Sequence, residues 1–299
     1  MSDVNLYGFF LEGDLAVIQK FIDQTLNANA TESVRFKALS KYTLLSFANI
    51  GSITSLAPEY KNEGWLPERD VVIWLPVAKM VKKGDDEKID YIYWYPAFIS
   101  VDNIYAILNG REIWGYNKYL CECDMPSDGS VPETLSVSLQ GFQPYSPDTK
   151  MASHELLTVT KINDGHENPF EEFVDFVKEV FELLRSGHDF FDLDINALKQ
   201  MMSGFIDPKM DQILFKQFPD GDGNKALYQK VMSSPSDIKK IHTAKIYTHE
   251  FEVKVNPFAS FPLTEMFGIP EGISHPILPF MISMDFEQEA ATEIDMDKE

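Results

Sequence analysis

Seven short runs dense in β-branched and aromatic residues, 44–50, 71–77, 91–100, 135–139, 156–160, 244–255 and 280–286, constrain this chain more than any other feature. Residues of these types favour the pleated, half-buried surface of a sheet. Turn residues separate the runs, so consecutive strands are expected to fold back on one another. The prediction is an α+β fold, mainly antiparallel β, whose sheet forms a closed or partly closed β-barrel with peripheral helices. Tyr91-Ile92-Tyr93-Trp94-Tyr95 is apolar on both faces and suits a strand covered on two sides.

Two helices stand out against this background. Asp14 is placed to cap one that carries Leu15, Ile18, Phe21, Ile22 and Leu26 on a single stripe. Asn168-Pro169 opens a second with Phe170, Phe173, Val177, Val180, Phe181 and Leu184, and Gly187 closes it. Both stripes are expected to pack on the sheet. Residues 189–211 lose periodicity and offer Met201, Met202, Phe205 and Met210, the composition of a pocket lid or of a peripheral loop packed on the barrel or on another subunit. From Glu287 the chain is acidic and aperiodic, so a disordered tail over 287–299 is expected to follow a single domain over 1–286.

The 299 residues carry a formal net charge of −21, which repels phosphate backbones and anionic membrane surfaces. Nucleic-acid and membrane partners are therefore not expected. The same field disfavours anionic substrates, so a site for an oxo acid needs a local cation, and the only arginines are Arg35, Arg69, Arg111 and Arg185. Cys121 and Cys123 sit two apart on a predicted strand and face the same way, which disfavours a disulfide between them. They read as small apolar residues of a reduced protein. No basic leader precedes an apolar run, and no stretch approaches the roughly 18–20 apolar residues that span a bilayer, so a cytoplasmic protein is the expectation.

Three segments carry chemistry. Gly110-Arg111-Glu112, then Trp114, Tyr116, Asn117 and Lys118, form the first. The second is Trp65-Leu66-Pro67-Glu68-Arg69-Asp70, running into an apolar strand that ends Leu75-Pro76-Val77. The third runs from Leu214-Phe215-Lys216-Gln217-Phe218-Pro219-Asp220 to Ala226-Leu227-Tyr228-Gln229. Taken in their order along the chain, with the Trp65 segment first, and spread over residues 5–286, they resemble segments of the acetoacetate decarboxylase family, nearer to its divergent aldolase- and dehydratase-type members.

The resemblance implies an acetoacetate decarboxylase-like barrel and a lyase in which Lys118 forms a Schiff base with an oxo acid and Glu68 shuttles protons. Trp114, Tyr116, Tyr119 and Arg111 would surround the lysine. It implies no cofactor and no metal, and a homo-oligomeric assembly. A lysine of ordinary pKa, roughly 10.4, is almost fully protonated at neutral pH and is a poor nucleophile. Desolvation or a neighbouring cation lowers that value, and acetoacetate decarboxylase is itself a known case. Here Tyr119 stands where typical family members place a second lysine, Asn117 replaces the motif's proline, and Val4 lies near the place of a substrate-binding arginine. No acid occurs at Phe47-Ala48-Asn49, where the family's other active-site carboxylate would fall. Decarboxylation and aldol or dehydration chemistry therefore both stay open, and a barrel that binds a small ligand without turning it over is the alternative.

Other motifs fail on their own chemistry. Asp220-Gly221-Asp222-Gly223-Asn224 begins like a calcium loop, but its sixth position is Lys225 and its twelfth Val231. The six histidines include no pair four apart, and neither a phosphate-binding glycine loop nor a Gly-x-Ser-x-Gly elbow is present.

Overall fold

The computed structural model describes residues 1–83, 86–169, 173–186 and 209–296. Its strands are β1 (Ser2–Glu12), β2 (Val34–Ala38), β3 (Tyr42–Ile53), β4 (Leu66–Lys83), β5 (Asp86–Val101), β6 (Lys118–Asp124), β7 (Thr134–Gly141), β8 (Ala152–Asn163) and β9 (Glu167–Pro169). They continue with β10 (Lys209–Met210), β11 (Ile213–Pro219), β12 (Ala226–Ser233), β13 (Ser236–Tyr247), β14 (Glu250–Val255), β15 (Gly272–Ser274), β16 (Ile277–Gln288) and β17 (Thr292–Glu293). Each of the seven apolar runs lies on strands, the run 244–255 bending at Thr248-His249 between β13 and β14.

The main sheet follows the path β10-β13-β16-β1-β3-β4-β5-β6-β7-β8-β14-β15, with β2 on β4 and β9 on β13. It is antiparallel throughout except where β6 joins β5 in parallel, pairing Ile99 with Lys118. The expected closed barrel is not formed: among the described residues no ladder joins the two ends, and the sheet stays open as a large curved layer. The cause lies in the edge strands, since β10 has two residues and β15 three, too few to support a closing ladder. Curvature is concentrated at register shifts such as Ile73/Trp74 and Ile50/Ile53. A separate three-stranded sheet, β11-β12-β17, carries the third motif as a hairpin, with the Asp220 carboxylate accepting from the Asn224 amide in its turn.

Helix α1 (Leu15–Gln24) begins where expected, with Asp14 Oδ1 accepting from the Val17 amide at 2.9 Å and Ile18 and Ile22 buried. The second predicted helix starts late. Glu167–Pro169 pairs with β13 instead of opening it, Lys245 facing Pro169, and α3 spans Phe173–Ser186. Between α1 and α3 comes α2 (Ile104–Asn109), and α4 (Leu263–Phe267) follows near the end. The proposed lid over 189–211 falls outside the described residues up to position 208, as does the helix-closing Gly187. The acidic stretch from Glu287 is not a free tail over 287–296. Thr292–Glu293 pairs with β12, and the Ile294 amide donates to the Val231 carbonyl at 2.9 Å, because the strand edge of β12 offers unpaired backbone groups there. Residues 297–299 lie outside the described residues.

Alternation along the strands divides the molecule into two faces. One buries Tyr7, Phe9, Phe47, Val71, Ile73, Leu75 and Phe98 with α1, α4, the side chains of β7, β8 and β14, and the free Cys121 and Cys123 of β6. The other packs Phe10, Val72, Trp74, Ile99 and Phe280 against α2 and the C-terminal half of α3.

Candidate active site

The connection from β5 to β6, residues 102–117, builds the site. Asn103 Oδ1 accepts from the Tyr105 amide and starts α2, which runs into a wider π-turn at Gly110–Trp114. The amides of Gly115 and Tyr116 both donate to the Gly110 carbonyl, at 2.9 and 3.0 Å. Gly115 takes a φ of 97°, and a Cβ there would lie 2.6 Å from Lys216 Cβ, so both conformation and space call for glycine. Gly110 is needed for a different reason: a Cβ on it would sit 2.8 Å from Lys118 Cδ, in the channel occupied by the lysine's own methylenes.

Lys118 opens β6 and reaches across β5 to β4, where its Nζ donates to Glu68 Oε1 at 2.6 Å. Glu68 is only 3% exposed. The Tyr116 ring lies beside the ammonium, its centroid 5.6 Å from Nζ, a cation–π distance. The Tyr116 hydroxyl donates to Gln212 Oε1 at 2.8 Å, and Gln212 Nε2 donates to Ser236 Oγ at 2.6 Å. Burial pushes the Tyr116 hydroxyl well above the usual phenol range, with the charges of Glu68 and Asp70 adding to the shift.

Asp70 stands two residues from Glu68 on β4, on the same face, opposite Ala48 of β3. Desolvation, then the Glu68 charge, push its carboxyl up to about 8 against the opposing pull of Lys118. Its carboxyl therefore favours the protonated form more than an ordinary aspartate does. Its place beside Ala48 is telling, because residues 47–49 offer no acid of their own.

These groups front a cavity of about 200 Å³. Trp114, Tyr116, Glu68 and Lys118, four of the six residues singled out in the sequence, line it together. Tyr119 and Arg111 do not. Tyr119 follows Lys118 on a strand and points to the opposite face, stacked on Phe98 at 5.7 Å and edge-on to Phe261. A side chain at position 119 therefore has no direct line to the lysine. The exposed Arg111 instead donates to Asn117 Oδ1 and to the Lys118 carbonyl, at 3.2 and 3.1 Å. Asn117 also donates to the Tyr119 hydroxyl at 2.8 Å, so side-chain bonds brace the turn that a proline would otherwise stiffen. The sequence reading missed Asp70, Gln212 and Ser236. Asp70 had a signal in its spacing of two from Glu68; Gln212 had none, since only the folded sheet brings it near. Among the described residues no group of three or more His, Cys, Asp or Glu is placed to hold a metal ion, and no helix is long and apolar enough to cross a membrane.

The fold defined by this sheet and its crossover is that of acetoacetate decarboxylase and its structural relatives. Acetoacetate decarboxylase from Legionella pneumophila subsp. pneumophila str. Philadelphia 1 superposes with a TM-score of 0.56 at 14% identity, over 98% of this chain and 86% of that one. An acetoacetate decarboxylase-like enzyme from Sphingomonas wittichii RW1 gives 0.52 at 10% identity, over 98% and 91%. The enduracididine biosynthesis enzyme MppR in complex with pyruvate gives 0.52 at 8%, over 99% and 90%. No family model and no curated protein sequence matches the chain.

Proposed function

We propose that the protein is a lyase that forms a Schiff base through Lys118 and makes or breaks a carbon–carbon or carbon–oxygen bond beside the substrate carbonyl. The observation that carries this reading is the Lys118 Nζ to Glu68 Oε1 contact of 2.6 Å at the wall of an apolar cavity. Glu68 takes a proton from the ammonium, and the neutral amine attacks the carbonyl carbon. The carbonyl oxygen leaves as water, and a protonated imine remains, paired with the Glu68 carboxylate. That nitrogen withdraws electrons from the adjacent carbon, where loss of a proton gives an enamine for aldol or dehydration steps and loss of a carboxylate gives decarboxylation. Asp70, its carboxyl pushed upward by burial and the Glu68 charge, supplies a proton donor beside Glu68. The ring of Tyr116 supports positive charge at Nζ before and after imine formation.

Incubation with a panel of ketones, aldehydes and oxo acids followed by borohydride should leave a covalent adduct on the peptide containing Lys118. Lys118→Ala should give none. An adduct on a different lysine, or none with any carbonyl compound, would leave a ligand-binding protein as the better account. We also propose a homo-oligomer, which light scattering of the purified protein tests.

A further inference from the structure

We propose that the carbonyl compound bound at Lys118 is an uncharged ketone or aldehyde with an apolar tail, not an oxo acid. The inference rests on the Schiff-base reading and narrows its substrate.

An oxo acid brings a carboxylate that must be matched once it leaves water, because an unpaired buried charge is strongly unfavourable. Among the described residues the cavity offers no uncommitted cationic side chain to match it. Lys118 is the sole cationic side chain lining it among the described residues, and Glu68 already neutralises that charge. All four arginines of the chain are placed elsewhere. Arg35 is exposed on β2, Arg69 is tied to Asp102 at 2.7 Å, Arg111 braces the turn before Lys118, and Arg185 is exposed on α3 beside Glu182. Asp70 adds a second acid at the wall, and the α-ammonium of Met1, also at the wall, is committed to the Phe286 carbonyl at 2.8 Å and faces Glu287 and Asp285. A carboxylate bound here would face two acids and no uncommitted cation, inside a protein whose formal charge of −21 already repels anions.

The rest of the lining shows what fits instead. The part of the cavity formed by β1, β3 and β16 is hydrocarbon: Val4, Leu6, Ala48, Ile50, Met284 and Phe286. Val4 is 1% exposed, so its side chain is built into this wall. The polar atoms on the opposite side bond one another, through Tyr116, Gln212, Ser236 and Gln288. Such a chamber rewards an alkyl or aryl group and presents its one reactive amine to a neutral carbonyl carbon. For such a substrate the reaction is confined to the aldol or dehydration type, because there is no carboxylate to lose. The balance is complete without a further reagent: the ketone and the ammonium give protonated imine plus water, and the Cα proton passes to Glu68 as the enamine forms.

The test is a matched pair: butyl methyl ketone, and the α-oxo acid in which a carboxylate replaces its methyl group. Adduct formation on the Lys118 peptide of the intact protein is measured by mass spectrometry after borohydride, at neutral pH. Each rate is divided by that of a free alkylamine with the same compound, which removes their intrinsic difference in electrophilicity. The ketone is expected to be favoured by at least about tenfold, the factor set by roughly 1.4 kcal/mol of uncompensated carboxylate burial. Equal or faster normalised trapping of the oxo acid would overturn the substrate assignment while leaving the imine reading standing. Trapping of neither compound, nor of any other carbonyl in a broad panel, removes the imine reading and this inference with it.

Discussion

The two faces of β4 differ more than any two distant parts of the molecule. On one, Val71, Ile73, Leu75 and Val77 are fully buried within the hydrophobic core. On the other, Glu68, Asp70, Val72 and Trp74 front the cavity, and two of the four are acids. Each large aliphatic side chain on the first face contributes about 1.5–3 kcal/mol by leaving water. The second face takes an ion pair and a raised carboxyl out of water, which costs stability. A strand's period of two lets a single segment do both, since side chains a residue apart never compete for the same space. The candidate site sits on the face that contributes least to folding, and the core face holds it in register.

Four tests, using five substitutions, sharpen or break that comparison. The largest effect should come from the core side, at Phe47, fully buried on β3 opposite Val71. Phe47→Ala should cost about 3–5 kcal/mol in urea unfolding, while borohydride trapping per folded molecule stays near wild type. A selective loss of trapping would mean that the faces are not independent. Next, Lys118→Met should cost about 3 kcal/mol by leaving the Glu68 carboxylate buried without its partner. Adding Glu68→Gln should recover most of that loss, and a double variant no more stable than Lys118→Met alone would refute the pairing as an energetic unit.

Asp70 makes the cavity face sensitive to pH. Its folded value of about 8 lies above the ordinary 3.8, so the native state keeps a proton that the unfolded chain releases. The associated stability is fully present below the ordinary value and is lost as pH rises through about 8. Melting temperatures of Asp70→Asn relative to wild type should therefore rise between about pH 4 and pH 8 and level off above. A difference that is flat with pH would place the carboxyl in contact with solvent. The smallest effect belongs to Tyr119→Phe, which removes the hydroxyl that Asn117 bonds and should cost about 1 kcal/mol. The pH profile of trapping should not move, because the residue looks into the core; a shifted profile would bring position 119 back into the site.

What the sequence disclosed and what it withheld follow the same geometry. Strand positions were readable because alternating or continuous apolar runs report local burial. Lys118 and Glu68 were picked out by a spaced motif, and the fold brings the two together at the cavity wall. Tyr119 and Arg111 were misplaced because nearness along the chain was taken for nearness in space, and on a strand the next residue faces away. Asp70 obeyed the spacing rule but was given no role beside Glu68. Barrel closure was beyond reach, since it depends on how far the last ladders extend, here two and three residues at the edges. The start of α3 was misjudged because β13 captures Glu167–Pro169, a partner nearly eighty residues away, Lys245 pairing with Pro169.

The pairing of β1 with β16, Val4 against Met284, has a consequence in time. Ribosomes add about 5–20 residues per second, so the first strand waits on the order of 15–60 s for its neighbour to be synthesised. Throughout that interval one edge of β1, with Phe9, Phe10 and Leu11 on it, lacks its native cover, and the chamber around Lys118 lacks the wall containing Met284 and Phe286. The nascent chain thus carries Lys118 long before it has a cavity around it, and during those seconds it is a client for whatever shields unpaired strand edges in the cell.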